Sequence, residues 1–221
     1  MKFSEIYLLT RAIPKTIYFN FRYFKFRTAI KMPVLISHNV RLLKTKGKVI
    51  IENSNPTLFD IRIGFGDVGI FDKQRSRTIW ENSGVIIFKG RASIGHGSKI
   101  SVAGLLEIGN NFRISAESSI VCFKQISIGH DVLMSWETLI MDTDFHIIKN
   151  HKDEIINNDK EIIIGNKVWI GCRCTILKGT IIGDGNVVAA NSVVTANYNN
   201  ENSIIGGNPI RTLKDKIYWM A

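Results

Sequence analysis

The sequence predicts a mainly β chain wound as a parallel β-helix, and three observations carry that prediction. From Ile164 the chain reads in sixes, with Ile164, Ile170, Ile176, Ile182, Val188 and Val194 opening successive hexads. The same register appears earlier in Ile94 and Ile100, in Ile108, Ile114 and Ile120, and in Ile128, Met134 and Ile140. A glycine directly follows the aliphatic residue at Gly95, Gly109, Gly129, Gly165, Gly171 and Gly183, where the backbone can turn without a crowding Cβ. A period of six matches neither the roughly 3.6 of a helix nor the alternation of a simple strand. It suits short strands joined by tight turns, one inward aliphatic per strand, three strands closing one triangular coil. Coils stacked ~4.8 Å apart bury the aliphatic column and pair each backbone with the coils above and below.

With 221 residues, 45% apolar content and 4 prolines, the chain has room for one sizeable domain with an appendage and is too apolar for disorder. Its net charge of +10 is unevenly placed, because residues 1–48 hold eleven Lys/Arg against the single acid Glu5, while residues 49–221 hold eighteen of each sign. This N-terminal segment interleaves aromatic and basic residues, from Tyr18 and Phe19 through Phe21, Arg22, Tyr23, Phe24 and Lys25 to Phe26 and Arg27. It reads as partly helical over about 15–30, with Pro14 at the helix start, although the alternation from Asn20 to Arg27 also suits a strand. Two roles are open to it: a cap on the exposed end of the repeat stack, or a dock on an anionic membrane surface.

Residues 49–84 read as irregular opening coils, residues 85–199 as the regular β-helix, and residues 200–221 as a C-terminal tail. Within the helix, two-residue slips at 106–108 and 126–128 interrupt the hexads. Residues 144–163 leave the register altogether and are polar, which marks a loop thrown out of the coil, a usual place for function. No stretch approaches the ~20 apolar residues of a membrane span, and no apolar core with a small-residue cleavage site stands at the N-terminus. The expectation is a cytoplasmic protein, at most peripheral at the inner membrane face. Cys122, Cys172 and Cys174 fall short of a disulfide framework, and Cys172-Arg173-Cys174 has the wrong spacing for a zinc knuckle, so reduced thiols are expected.

Three spaced motifs point to chemistry: Met141-Asp142-Thr143-Asp144-Phe145-His146 ahead of the loop, Val168-Trp169-Ile170-Gly171 after it, and Gly206-Gly207-Asn208-Pro209-Ile210-Arg211 beyond the last repeat. In this order and spacing they make residues 85–214 resemble the hexapeptide acyltransferases, in particular the sugar and polysaccharide O-acetyltransferases. The resemblance implies a left-handed coil, a homotrimer, and acetyl-CoA held as acyl donor in a groove between subunits. It also implies a sugar or polysaccharide acceptor, lipid-linked ones included, in capsule or exopolysaccharide biosynthesis. No metal and no nucleic-acid partner are expected.

A sugar hydroxyl is a poor nucleophile until a base takes its proton, and an imidazole titrating near ~6.5 can accept that proton and return it to the leaving thiolate. By the resemblance His146 is that catalytic histidine. His151 reads as a solvated loop residue, His96 and His130 as structural within Ile-Gly-His turns, and His38 has no assigned role. Asp142 and Asp144 flank the base, so that either can hold the imidazole tautomer and stabilise the imidazolium. The tetrahedral oxyanion calls for a donor, typically a backbone amide in this family.

The resemblance places Cys172 and Ala190 along the pantetheine path, and Thr195, Arg211 and Lys214 at the nucleotide end, where cations pair with phosphates. Ala196 and Asn191 depart from the lysine and glycine usual at those positions. Trp136 and Trp169 lie on either side of the loop and are candidates to wall the acceptor site, since aromatic faces pack on sugar C–H surfaces. Asn82, with Trp80, is a candidate to reach the acceptor from before the regular coil.

Other classes are weighed against this reading. The γ-class carbonic anhydrases share the coil and use two histidines five residues apart, a spacing His146 and His151 match, but the third zinc ligand would fall on Asn110. A non-catalytic assembly module needs neither the base nor the groove. Amino-sugar N-acetyltransferases and antibiotic acetyltransferases use the same machinery and stay open; the long basic N-terminus favours the polysaccharide pathway.

Overall fold

The computed structural model describes residues 3–53, 55–66, 68–73 and 75–220. Among these, the strands fall into sheets of nine, seven and six strands, one from each sheet per turn, and the sheets are the three faces of a left-handed parallel β-helix. The first face runs from Val34–Ile36 through Ile61–Ile63, Ala92–Ile94, Phe112–Ala116, Leu133–Trp136, Trp169–Ile170 and Val187–Val188 to Ile204–Gly207. The second runs from Arg41–Thr45 through Ile79–Asn82, Lys99–Val102, Ser119–Cys122, Leu139–Met141 and Thr175–Leu177 to Val193–Val194. The third runs from Lys48–Ile51 through Val85–Phe88, Leu105–Ile108, Gln125–Ile128 and Ile162–Ile164 to Ile181–Ile182. The aliphatic residues that open the hexads are buried along the axis, from Ile94 and Ile100 to Val188 and Val194.

The two-residue slips are wider turns of the same coil. Val85 pairs with Leu105 and Leu105 with Gln125, twenty residues per turn, whereas Ile163 pairs with Ile181 and Trp169 with Val187, eighteen per turn. The added residues lengthen the second and third faces, so that Lys99–Val102 buries both Ile100 and Val102 and Leu105–Ile108 buries both Leu106 and Ile108. Later strands such as Thr175–Leu177 bury one side chain each.

The coil also starts earlier than the sequence suggests. Its first turn is built from Val34–Ile36, Arg41–Thr45 and Lys48–Ile51, inside the basic segment, and residues 49–84 carry regular strands already in register with the coils above. Ahead of it, helix α1 spans Phe3–Tyr23 and a short α2 spans Phe26–Ala29. Pro14 lies inside α1 rather than at its start. The ring removes only the amide that would bond the carbonyl of Thr10, and both residues are exposed, so water can serve that carbonyl. Phe19 and Asn20 are consecutive and both buried, Asn20 on Val34–Ile36 and Phe19 against Trp80, as neighbouring positions on one side of a helix.

A β-helix has an unpaired edge at each end. At the N-terminal end α1 closes it with side chains: Asn20 Nδ2 donates to Val34 O at 2.7 Å, Val34 N donates to Asn20 Oδ1 at 3.2 Å, and Ile36 N donates to Thr16 Oγ1 at 3.0 Å. Phe19 packs edge-on to Trp80 at 5.2 Å, and Trp80 Nε1 donates to Tyr23 Oη at 3.0 Å. At the other end, Ile210–Lys214 folds back antiparallel on Ile204–Gly207 and covers the last edge of the first face. The loop leaves after Leu139–Met141, and Ile162–Ile164 then pairs with Gln125–Ile128 as though nothing intervened.

Replacing Asn20 by Leu leaves the buried Val34 N–H and C=O without partners and should lower stability by about 2 kcal/mol or more, read from the urea unfolding midpoint. A change inside about 0.5 kcal/mol would mean that the edge is held by something else.

Candidate active site

His146 stands exposed on the loop at the corner between the second and third faces. Its backbone is pinned: His146 N donates to Asp144 O at 2.7 Å, and His146 O accepts from Asn157 Nδ2 at 2.8 Å. The same Asn157 amide reaches Asp144 Oδ2 at 2.9 Å, and Lys178 Nζ closes the cluster with contacts of 2.5 Å to Asp144 Oδ2 and 2.6 Å to Asn157 O. The Lys178 ammonium beside it, and then the Asn157 amide, hold the Asp144 carboxyl below the usual carboxylate range. Among the described residues the His146 imidazole itself makes no hydrogen bond.

Asp142 does something different from orienting the base. It is fully buried and its carboxylate accepts three main-chain amides, Phe123 N at 2.7 Å and Lys124 N and Gln125 N each at 2.8 Å. It therefore fastens the corner of the coil below and lies in no contact with the ring of His146. Beside it, burial first and the Asp142 charge second push the Cys122 thiol far up, so that sulfur stays protonated and packs as a core atom. Asp144 likewise spends its carboxylate on Lys178 and Asn157; both acids position the loop rather than the tautomer.

The residues expected on the pantetheine path form a column at another corner, between the first and second faces. Arg173 N donates to Trp136 O at 3.0 Å and Asn191 N to Cys172 O at 3.0 Å, which stacks Trp136, Cys172 and Ala190 in successive coils. The approach is close: a Cβ on Gly171 would stand 2.7 Å from Ala190 N. Glu137 and Arg173 pair beside the column at 2.7 Å. Thr195 instead follows Val193–Val194 at the corner of the second and third faces, above Leu177, while Arg211 and Lys214 are exposed on the strand that closes the first face. One chain thus separates these three.

Trp169 is 38% exposed on the first face, with Nε1 donating to Ser135 Oγ at 3.1 Å, and the tail lays Trp219 against it at 6.0 Å between ring centres. Trp219 Nε1 is anchored on Lys167 O at 2.7 Å. Beside this pair a groove of about 580 Å³ runs along the first face, with Arg62, Arg91, Arg113 and Lys167 in its walls. Asn82 is no part of any such surface. It points into the coil, fully buried, with Nδ2 donating to Lys48 O at 3.0 Å, because it shares the inward parity of Trp80 on Ile79–Asn82.

Lys178, Asn157, Trp219 and the groove cations escape sequence reasoning. A lysine at a coil corner, an asparagine in a polar loop and a tryptophan near the end carry no local signal. Arg62 and Arg113 could have been found by register, since both pair outward with Ser93 on the first face.

Comparison with known proteins agrees with this architecture. A family model described as bacterial transferase hexapeptide (six repeats) matches residues 161–196. The chain is 30% identical over 145 residues to the putative lipopolysaccharide biosynthesis O-acetyl transferase WbbJ of Escherichia coli K12, spanning 60% of this chain and 73% of that protein. It is 30% identical over 200 residues to a 24.8 kDa protein in the cps region of Klebsiella pneumoniae, spanning 90% of this chain and 86% of that one. In three dimensions it superposes on the polySia specific acetyltransferase NeuO with a TM-score of 0.60 at 23% identity, covering 86% of this chain and 79% of NeuO, a likeness of fold. The chain belongs to the bacterial hexapeptide-repeat transferases. Within them it is an enzyme of the acyltransferase class, an acetyltransferase whose relatives are named for O-acetyl transfer.

Because the folded carboxyl of Asp144 is depressed by Lys178, the anchor it forms is complete above the unfolded value of about 3.9 and is lost as pH falls through the lower folded value. Protection of the amides in residues 145–156, relative to their intrinsic exchange rates at each pH, should fall in that window while the coil stays protected. Asp144→Asn should show the faster exchange already at neutral pH; unchanged protection in that variant would remove Asp144 as the anchor.

Proposed function

We propose that this acetyltransferase takes its acetyl group from acetyl-CoA and moves it to a sugar hydroxyl in capsule or exopolysaccharide biosynthesis, with His146 as general base. The observation that carries the reading is an exposed imidazole on a loop whose backbone is fixed by Asn157, Asp144 and Lys178. An imidazole so placed accepts the hydroxyl proton while the oxygen attacks the thioester carbonyl carbon. The tetrahedral intermediate then collapses, the C–S bond breaks, and the imidazolium returns the proton to the departing thiolate. Asp144, Asn157 and Lys178 act as positioning residues. Asp142 secures the corner from which the loop departs.

The donor suits the surfaces available. The small side chains of Cys172 and Ala190, stacked at one corner, leave a shallow path for pantetheine, and the exposed cations Arg211 and Lys214 suit CoA phosphates. In one chain that column and His146 project from different corners of the prism. Three copies side by side would bring the His146 corner of one against the Cys172 corner of the next, which is why we read the working unit as a homotrimer. In the groove Arg62, Arg91, Arg113 and Lys167 outnumber Asp60 and Asp131, an excess that would suit an acidic glycan acceptor, free or lipid-linked, with Trp169 beside the groove against Trp219 and Trp136 at the next corner as apolar faces for its sugars. The names of the relatives point the same way.

His146→Ala should leave a trimer by light scattering and slow acetyl transfer by at least ~100-fold, the usual share of a general base. The assay offers labelled acetyl-CoA to sugars, nucleotide sugars, amino sugars and repeat-unit oligosaccharides. Label on an amino group alone, or full turnover in the variant, would overturn the reading. The double variant Arg211→Ala with Lys214→Ala should raise KM for acetyl-CoA more than it lowers kcat, since phosphate contacts far from the thioester hold ground and transition states alike. Unchanged CoA binding by calorimetry would remove both residues from the nucleotide end.

A further inference from the structure

One face of α1 is explained by the coil beneath it, and the flank beside that face is not. Ala12, Thr16, Phe19 and Asn20 are buried. On the flank, Ile6, Ile13, Ile17 and Phe21 are 44–52% exposed and follow one another at helical spacing, and Phe26 and Ile30 carry the stripe onto α2 at 71% and 52%. Phe21 and Phe26 meet at 6.1 Å between ring centres, which makes the stripe continuous across the break between the helices. A helix whose outer face rests in water is expected to be polar there. Ile6, Ile13 and Ile17 of the stripe form one wall of a groove of about 380 Å³ that opens between α1 and the start of the coil, with Leu9, Met32 and Leu35 among the rest of its lining. This end of the molecule is therefore built to be covered.

Charge decides by what. From Ile6 to Ile51 the sequence holds ten Lys/Arg and neither Asp nor Glu. Arg11, Arg22, Lys25, Arg27 and Lys31 are all exposed around the stripe. Arg11 lies over the ring of Tyr7 at 5.4 Å and Arg22 over that of Tyr23 at 5.5 Å, so both guanidiniums stay close to the helix surface, at the margin of the apolar face. A second copy seated on the same face would bring two such sets of cations together with Glu5 the single acidic residue of each segment. An anionic bilayer offers the complement: acyl chains for the stripe and groove, and headgroup phosphates for the arginines. No helix among the described residues is long and apolar enough to cross a membrane, so α1 can lie along the surface but not span it.

We propose that the exposed apolar flank of α1 and α2, with the groove beside it, rests on a membrane rich in anionic lipid and holds the enzyme there. The docking is independent of the catalytic reading, because it uses none of the residues placed in the active site. Each basic side chain near such a surface contributes about 1 kcal/mol, so the attachment is reversible and sensitive to salt.

The test is sedimentation of the full-length protein with vesicles of phosphatidylglycerol and phosphatidylcholine, compared with phosphatidylcholine alone. Binding is expected to the mixed vesicles only, and to fall away near 1 M salt, where the screening length is about 3 Å. Arg11→Glu with Arg22→Glu, and separately Ile17→Gln with Phe21→Gln, should each weaken binding by roughly tenfold or more while the unfolding midpoint and acetyl transfer to a soluble acceptor stay at wild-type values. Equal binding by both variants, or no sedimentation with the mixed vesicles, overturns the proposal. Self-association that grows with concentration, disappears in Ile17→Gln with Phe21→Gln and occurs without lipid binding would assign the face to a second copy instead.

Discussion

Everything in this molecule depends on the pairing of each coil with the coil on either side. The backbone of one turn has no partner within its own turn, so its amides and carbonyls are satisfied only by repetition at the strand spacing. That single requirement fixes the inward aliphatic column and the close glycine at the corners. It leaves two places where repetition fails, the first edge and the last. The chain treats them as separate problems, with Asn20 and Thr16 standing in for a missing strand at the beginning and an antiparallel strand turned back on the end.

Because the interior is committed to packing, chemistry is confined to the corners and to whatever departs from them. The loop that carries His146 is short of secondary structure, yet the main chain at His146 is not adrift. One amide side chain, Asn157, touches both the carboxylate of Asp144 and the carbonyl of His146, and one ammonium, Lys178, ties that arrangement to the next coil. Below it, the buried Asp142 replaces three missing main-chain acceptors at a place where the corner widens. Rigidity borrowed from the coil is thus delivered to an exposed side chain through a handful of polar contacts, the arrangement a general base needs if its reach is to be set before the acceptor arrives.

The fold was legible in the sequence because inward positions of a narrow coil accept little besides Ile, Val and similar side chains, and the period of six declares itself wherever that holds. It faded where a turn holds twenty residues, since a second inward residue per strand blurs the spacing, and at the N-terminal turn, where Val34 and Val49 are buried among residues of mixed character. Of the candidate site, His146 lay in a recognisable motif and Cys172 directly after another. Asn82 and Trp80 are both turned into the coil, a burial that the irregular opening of the repeats does not announce. The tasks of Asp142 and Asp144 were illegible for a deeper reason: Asp142 takes its amides from the coil beneath, at Phe123–Gln125, and Asp144 its partners from Asn157 and Lys178 further along the chain, and no local pattern announces either.

The way the ladder resumes across the loop bears on how such proteins diversify. Ile126 meets Ile162 in the same register that Leu106 keeps with Ile126, so the main chain of the intervening segment leaves and rejoins the scaffold at two points whose separation the coil dictates. Closing a longer segment between fixed points adds only about 0.6 kcal/mol for each doubling of length. Whole loops can accordingly be exchanged between descendants, lengthened or trimmed, while the coil stays the same, and a new acceptor preference can be acquired by a graft rather than by redesign of the body that bears it.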